Sequence, residues 1–185
     1  MKLVGDAIHK YGLEVPLVGI APWGAVMNKR AMIGAKGEVI NYRGGTPSAL
    51  EGKLNPHHTH QILVDACKDY GPDAVAWGHE IGMRSQLERV YAQAKGVPVV
   101  LLVVQGGPNT VDMMHASAKE GSPLLVLSDS GGAATALWQY CEGGIGRVSD
   151  PAFVDLGDKL EALRELDASR DHSLITFFSL ADDDT

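Results

Sequence analysis

The stretch Val97–Pro108, VPVVLLVVQGGP, constrains the fold more than any other part of the chain. A run of β-branched and aliphatic residues stops abruptly at Gly106-Gly107-Pro108. It is too short for a membrane span, and it lacks the alternation with polar residues that marks a half-solvated strand. The pattern predicts a central strand of a parallel sheet, apolar on both faces. The two glycines permit a tight turn or a close backbone approach to a ligand. Asn109 and Thr110 are then placed to cap a helix over Val111–Glu120. Strand, glycine turn and helix N-terminus together offer backbone N–H groups and a positive dipole end to an anion. In open α/β sheets, ligands sit at the carboxyl ends of such strands.

The flanking segments extend the pattern. Leu3–Tyr11 reads as a short helix with Leu3, Val4, Ala7 and Ile8 on one face, and Gly12 follows it. Val15–Ala21 reads as a buried strand that runs into the turn Pro22-Trp23-Gly24, and Val39–Tyr42 as a short strand. Arg43–Pro56 is a Gly/Pro/Ser-rich loop, a lid or an insertion. His60–Cys67 is another strand and Lys68–Asp73 a turn. Glu80–Lys95 is a helix whose apolar side is Ile81, Leu87, Val90, Tyr91 and Ala94, with Arg84 and Glu88 able to pair elsewhere on its surface. Leu124–Ser128 is a strand, Asp129-Ser130-Gly131-Gly132 a second small-residue turn, and Ala133–Cys141 a helix. Ser149 or Asp150 caps one helix from Pro151 to about Ser169, and Ser173–Leu180 is a last apolar stretch, strand or helix. Alternating strands and helices predict an α/β, Rossmann-like three-layer sandwich with a mainly parallel sheet. One domain over 1–180 and an acidic tail over 181–185 account for the chain.

Charge and cysteine content narrow the function. A formal net charge of −7 argues against a broad basic face for nucleic acid. The two cysteines, Cys67 and Cys141, have no metal-type spacing, and the default reading is a reducing compartment without disulfides. With no apolar stretch near ~18 residues and no signal-peptide core, the chain reads as soluble and intracellular, without a membrane span.

Several short segments, taken in order, carry a family resemblance. They are Gly19-Ile20-Ala21-Pro22-Trp23-Gly24, then His58-Thr59-His60-Gln61-Ile62-Leu63-Val64-Asp65, then Gln105-Gly106-Gly107-Pro108-Asn109, Ser128-Asp129-Ser130-Gly131, and Leu174-Ile175-Thr176-Phe177-Phe178. Together they resemble the N-terminal homology region of melastatin-type TRP cation channels, the TRPM family. The resemblance implies a SLOG domain, Rossmann-like and related to nucleotide-binding and nucleotide-processing proteins. It implies a cytosolic sensing domain in a tetrameric, calcium-permeable channel, contacting other subunits, and in some members binding ADP-ribose. The family pattern places a strand and a glycine pair ahead of the helix near Val4, and Met1 falls inside that pattern. A first strand is therefore expected to be missing. ADP-ribose-binding members carry an aromatic and an arginine after the HTHxILVD segment, matched here by Trp77 and Arg84. A further arginine follows their SxG turn, where this chain has Gly132. Loss of that guanidinium would cost roughly 2 kcal/mol or more of phosphate affinity. The expected ligand is ADP-ribose or a related adenine nucleotide bound more weakly, a different ligand, or none. The candidate ligand-binding residues are Trp77, Arg84, Gly106, Gly107, Asn109, Thr110, Ser130, Gly131 and Gly132, with no cofactor.

Each candidate also has a plainer reading. The Gly106–Thr110 turn resembles a degenerate GGxGTxxE signature of nucleotide phosphoribohydrolases on the same fold. Met113 stands where the catalytic glutamate belongs, and Asp112 points about a hundred degrees away around the helix. No catalytic residue is assigned, which weakens the enzyme alternative. His57, His58 and His60 lack further ligands for a metal and read as hydrogen-bonded structural histidines. Trp23 reads as packing at a sheet end, and Arg84 equally as a solvated partner of Glu88. Ser130 lacks the flanking pattern of a nucleophile elbow. A ligand-free subunit-interaction module is the remaining alternative.

Overall fold

A computed structural model of the 185-residue chain describes residues 2–34, 37–48, 50–67 and 76–181. Strands alternate with helices and every strand pair is parallel, so the fold is α/β in the Rossmann-like manner expected. The chain divides into two compact units, Met1–Arg84 and Ser85–Thr185. The predicted turn over Lys68–Asp73 lies outside the described residues, as does the acidic tail beyond Ala181.

The first unit contains helix α1 (Lys2–Lys10) and the parallel strands β1 (Val18–Pro22) and β2 (His60–Val64). Ile20 pairs with Ile62, and Pro22 with Val64. Pro22 closes β1 and a 3-10 turn over Trp23–Ala25 follows, as the Pro-Trp-Gly turn predicts. Cys67, with a left-handed φ of 52° and its N–H held by Asp65 Oδ1 at 2.9 Å, turns the chain shortly after β2. The Gly/Pro/Ser-rich loop is stitched down near its end. The Gly52 N–H donates to the Ala25 carbonyl at 2.7 Å, and the Met27 N–H to the Gly52 carbonyl at 3.0 Å.

Two expectations fail in this unit. Val39–Tyr42 forms no strand: among the described residues it has no strand partner, and Val39 is 93% exposed. Helix α1 does not bury its Leu3–Val4 side; its one buried residue is Gly5, over which Asn55 lies so closely that a Cβ would strike the Asn55 amide.

Helix α2 (Ile81–Lys95) runs across the division between the units and has no buried residue. Its predicted apolar side stays in contact with solvent, with Val90 53% and Tyr91 59% exposed. Periodicity located the helix correctly but gave it a covering that the structure does not supply.

The second unit is a three-stranded parallel sheet of β3 (Leu101–Val103), β4 (Leu124–Leu127) and β5 (Ile175–Phe178), in the order β3-β4-β5. Its helices are α3 (Pro108–Lys119), α4 (Gly132–Gly143), α5 (Pro151–Val154) and α6 (Gly157–Ala168). Register places Leu101 beside Leu124, and Leu124 beside Ile175. These side chains share a core with Val111 and Met114 of α3, Leu137 of α4, Phe153 of α5, and Leu160 and Leu163 of α6. Each fully buried side chain of this kind contributes about 1.5–3 kcal/mol.

This arrangement corrects the opening expectation. Among the described residues, the strand after Val97 covers Leu101–Val103 and lies at the edge of its three-stranded sheet, paired with β4. Its burial alternates, because the helical core lies on one face and Leu102, on the other, is 52% exposed. Two smaller corrections concern helix ends. The cap of α3 is Gly107, with no side-chain cap bond, and Pro108 supplies the first helical residue through its preset φ. The helix after Asp150 is interrupted at Asp155-Leu156 and becomes α5 and α6. Asp150 caps the first of them through a 3.0 Å bond from the Ala152 N–H. The last apolar stretch is the strand β5, as one of its two readings held.

Candidate functional site

The two small-residue turns of the second unit leave the carboxyl ends of neighbouring strands, and they lock into one another. Gln105 and Gly106 take left-handed conformations after β3, at φ 58° and 97°. Gly131 and Gly132 do the same before α4, at 90° and 56°. The Gln105 N–H donates to Ser130 Oγ at 2.8 Å, and that hydroxyl donates to the Leu127 carbonyl at 2.7 Å. In return, the Ala133 N–H donates to the Gly106 carbonyl at 2.9 Å, and the Ala134 N–H to the Gln105 carbonyl at 3.1 Å. Thr135 Oγ1 accepts from the Gly131 N–H at 2.8 Å and donates to the Ser128 carbonyl at 2.6 Å.

Gly106, Gly107, Asn109 and Thr110 are thus gathered beside Ser130, Gly131 and Gly132. Sequence reasoning did not find Gln105, which joins the two turns, or Thr135, which braces the second turn from within. A glutamine after a strand and a threonine inside a helix carry no distinctive signal, and their role depends on which turns become neighbours. Gly107, Pro108 and Asn109 form the exposed lip, while Gly106 and Ser130–Gly132 are half-buried. Donors for an anion are fewer than the strand–turn–helix pattern promises. Pro108 has no N–H, the Thr110 N–H returns to the Gly107 carbonyl at 2.9 Å, and the first-turn donors Ala133 and Ala134 serve the neighbouring turn.

Gly132 explains itself. A Cβ there would fall inside contact distance of the Gly106 carbonyl, at a left-handed φ of 56°. The position where the resemblance implies an arginine is closed to side chains in this chain. Asp112, the acid nearest to the missing glutamate, is paired with Lys159 Nζ at 2.6 Å. Met113 lies next to it on α3.

Trp77 and Arg84 belong to the first unit. The Trp77 indole, 38% exposed, packs on Gly52 and lines a small hollow with Ala21, Pro22 and Val26. Arg84 stands in the first turn of α2, its N–H bonded to the Glu80 carbonyl at 2.9 Å, and its side chain is half-buried. Trp23 is half-buried at the end of β1. The histidines carry the expected bonds: His58 Nδ1 lies 3.4 Å from Asn55 Oδ1, and His60 Nδ1 lies 2.9 Å from Thr59 Oγ1. Burial, first of all, holds the His58 imidazole below its ordinary value.

A wider groove of about 450 Å³ lies beside the second turn, lined by Ser128, Asp129, Trp138, Phe177, Phe178 and Ser179. Asp129 Oδ2 accepts from the Ser179 hydroxyl at 2.9 Å and from the Leu180 N–H at 3.0 Å. The Ser179 bond, with help from backbone N–H groups, keeps this carboxyl below the usual range. Both cysteines are free thiols.

Against known proteins, the family model described as SLOG in TRPM matches residues 1–143. The chain belongs to the SLOG family of TRPM channels. Transient receptor potential cation channel subfamily M member-like 2 of Nematostella vectensis is 36% identical over 182 residues, 84% of this chain and 11% of that protein. Subfamily M member 1 of Mus musculus is 35% identical over 159 residues, 77% of this chain and 10% of the relative. Subfamily M member 6 of Homo sapiens is 33% identical over 147 residues, 74% of this chain and 7% of the relative. This SLOG chain spans about a tenth of the length of these curated relatives. Among its described residues, no helix is long and apolar enough to cross a membrane.

Proposed function

We propose that this SLOG chain is a nucleotide-type ligand-sensing module of a TRPM-like, calcium-permeable cation channel. It would work on the cytosolic side, with other subunits of a tetramer as partners. The observation that supports a ligand is the pair of interlocked glycine turns at the carboxyl ends of β3 and β4. Their hydroxyl and carbonyl braces hold the backbone edge through the chain's own hydrogen bonds, which leaves little ordering for a ligand to impose. The phosphate of ADP-ribose or a related adenine nucleotide would lie along Gly106–Thr110 and Ser130–Gly132. With Gly132 in place of an arginine and several donors already engaged, affinity is expected to be weak. Trp77 and Arg84, in the other unit, are tested separately.

The test is thermal denaturation of the whole chain with millimolar ADP-ribose, AMP, ADP, ATP and cyclic ADP-ribose. A ligand at ten times its Kd adds about 1.4 kcal/mol, worth roughly 3–6 °C at this size. A saturable rise that Asn109→Ala weakens supports the reading, and Arg84→Ala asks whether that side chain contributes. A cooperative melt that no nucleotide moves would sink it. Release of free base from AMP would instead restore the phosphoribohydrolase alternative.

A second reading, a subunit-interaction module, draws on a different observation. Leu102 and Leu125 lie side by side on the sheet face away from the helical core, and both are exposed. Concentration-dependent self-association that Leu102→Lys abolishes would favour it.

A further inference from the structure

In the first unit, the imidazoles of His9 and His57 stack with ring centroids 4.0 Å apart and planes 14° from parallel. His9 lies in the last turn of helix α1, and His57 lies in the segment just before β2. The stack therefore joins two segments far apart in sequence. We propose that this pair makes the attachment of α1 acid-labile, with docked α1 the state at neutral pH and released α1 the state in mild acid.

The junction is thin enough for two protons to matter. Gly5 is the one buried residue of α1, and it rests on Asn55. Asn55 is itself the hub. Its Nδ2 donates to Asp6 Oδ1 at 2.8 Å and to the Lys2 carbonyl at 3.5 Å, and its Oδ1 accepts the His57 N–H at 2.9 Å. Two neutral imidazoles can stack face to face at little cost, and one imidazolium can lie on a neutral ring. Two imidazoliums 4.0 Å apart repel.

The surrounding charges accommodate the first proton better than the second. Asp6 Oδ1 lies 3.8 Å from His57 Nε2 and balances one charge, while also accepting from Asn55. The other titratable groups on and beside these segments are Lys2, Lys10 and Tyr11, His58 beside His57, and His60 at the start of β2, and all but Tyr11 are cationic or become so. Lys10 Nζ lies 5.4 Å from the Tyr11 ring centre. Strand β1 contributes no titratable side chain. A proton on each ring would place two like charges 4.0 Å apart in the stack, a repulsion that separating the rings relieves. Linkage then moves the equilibrium toward released α1.

Hydrogen exchange on the complete chain tests this at pH 7.5 and 5.5, with labelling times scaled for intrinsic chemistry. Amides of α4, in the other unit, serve as the internal reference. Protection of α1 relative to α4 is expected to fall about tenfold at pH 5.5, equivalent to about 1.4 kcal/mol. The His9→Phe variant keeps an aromatic ring without the charge and should hold its protection at both pH values. Unchanged wild-type protection, or an equal loss in His9→Phe, overturns the proposal. Should His9→Phe fail to fold, NMR titration of the wild-type rings decides. Two coupled steps for His9 and His57 support the switch, and two independent single-site curves overturn it.

Discussion

The Ala133 N–H donates to the Gly106 carbonyl at 2.9 Å, so the turn after β3 caps the helix after β4. That bond needs the close approach that only glycine at position 132 allows. Gly132→Ala forces a Cβ toward the carbonyl at a left-handed φ, and it should cost about 2 kcal/mol or more. At this chain length, that lowers the melting temperature by roughly 4–8 °C. Gly132→Arg, which supplies the arginine implied by the resemblance, should lower it at least as far and gain no nucleotide affinity. A melting point for Gly132→Ala within 1 °C of wild type, by the same ~2 kcal/mol reasoning, would mean that the turns are not locked as described.

Thr135 Oγ1 bridges the Gly131 N–H and the Ser128 carbonyl, both within its own turn. Thr135→Val keeps the shape and removes both bonds, leaving a backbone donor and an acceptor without this partner. The expected cost is about 1–3 kcal/mol. Thr135→Ser retains the hydroxyl and should recover most of it. Urea unfolding of the two variants separates the hydroxyl from the methyl group, and equal midpoints would remove the bridge from the account.

How far these features could be read beforehand differs from residue to residue. Leu124–Leu127 is a short apolar run opened by Pro123 and followed by a small-residue turn, and Val111 and Met114 recur at helical spacing, so β4 and α3 were legible from pattern alone. The run ending at Val104 was legible as a strand but not as an edge strand. Its residues are apolar throughout, and which face receives helices depends on the placement of α3, α4 and α6. The glycines of the two turns announced turns, whereas their interlocking is a contact between positions 106 and 133 that no local pattern encodes. The same holds for His9 and His57, which no spacing rule connects. The exposed apolar side of α2 shows the converse, since periodicity predicts a face and not what covers it.

Cys67 is exposed, whereas burial, followed by the nearby Asp167 carboxylate, pushes the Cys141 thiol up to about 11. At pH 8 only about one Cys141 in a thousand is then a thiolate, the nucleophilic form. Ellman's reagent should therefore modify Cys67 promptly and Cys141 slowly, with the second thiol becoming fast in denaturant. Two equally fast thiols in the native chain would show that α4 does not shield Cys141. Cys67→Ser should leave the slow phase alone.

Asp129 joins the turn before α4 to the residues after β5, through the Ser179 hydroxyl and the Leu180 N–H. The Ser179 bond keeps its carboxyl below the usual range in the folded chain. The unfolded chain therefore takes up the proton first as the pH falls. The stabilisation is present in full above the ordinary aspartate value of about 4 and is lost as the pH drops through the lower folded value. Hydrogen exchange at pH 6 and pH 3.5 should show the Leu180 amide losing protection in acid. Asp129→Asn should abolish most of that acid response while lowering protection at pH 6, because a neutral amide oxygen accepts these bonds less strongly. An acid response unchanged in Asp129→Asn would assign the effect to another carboxylate.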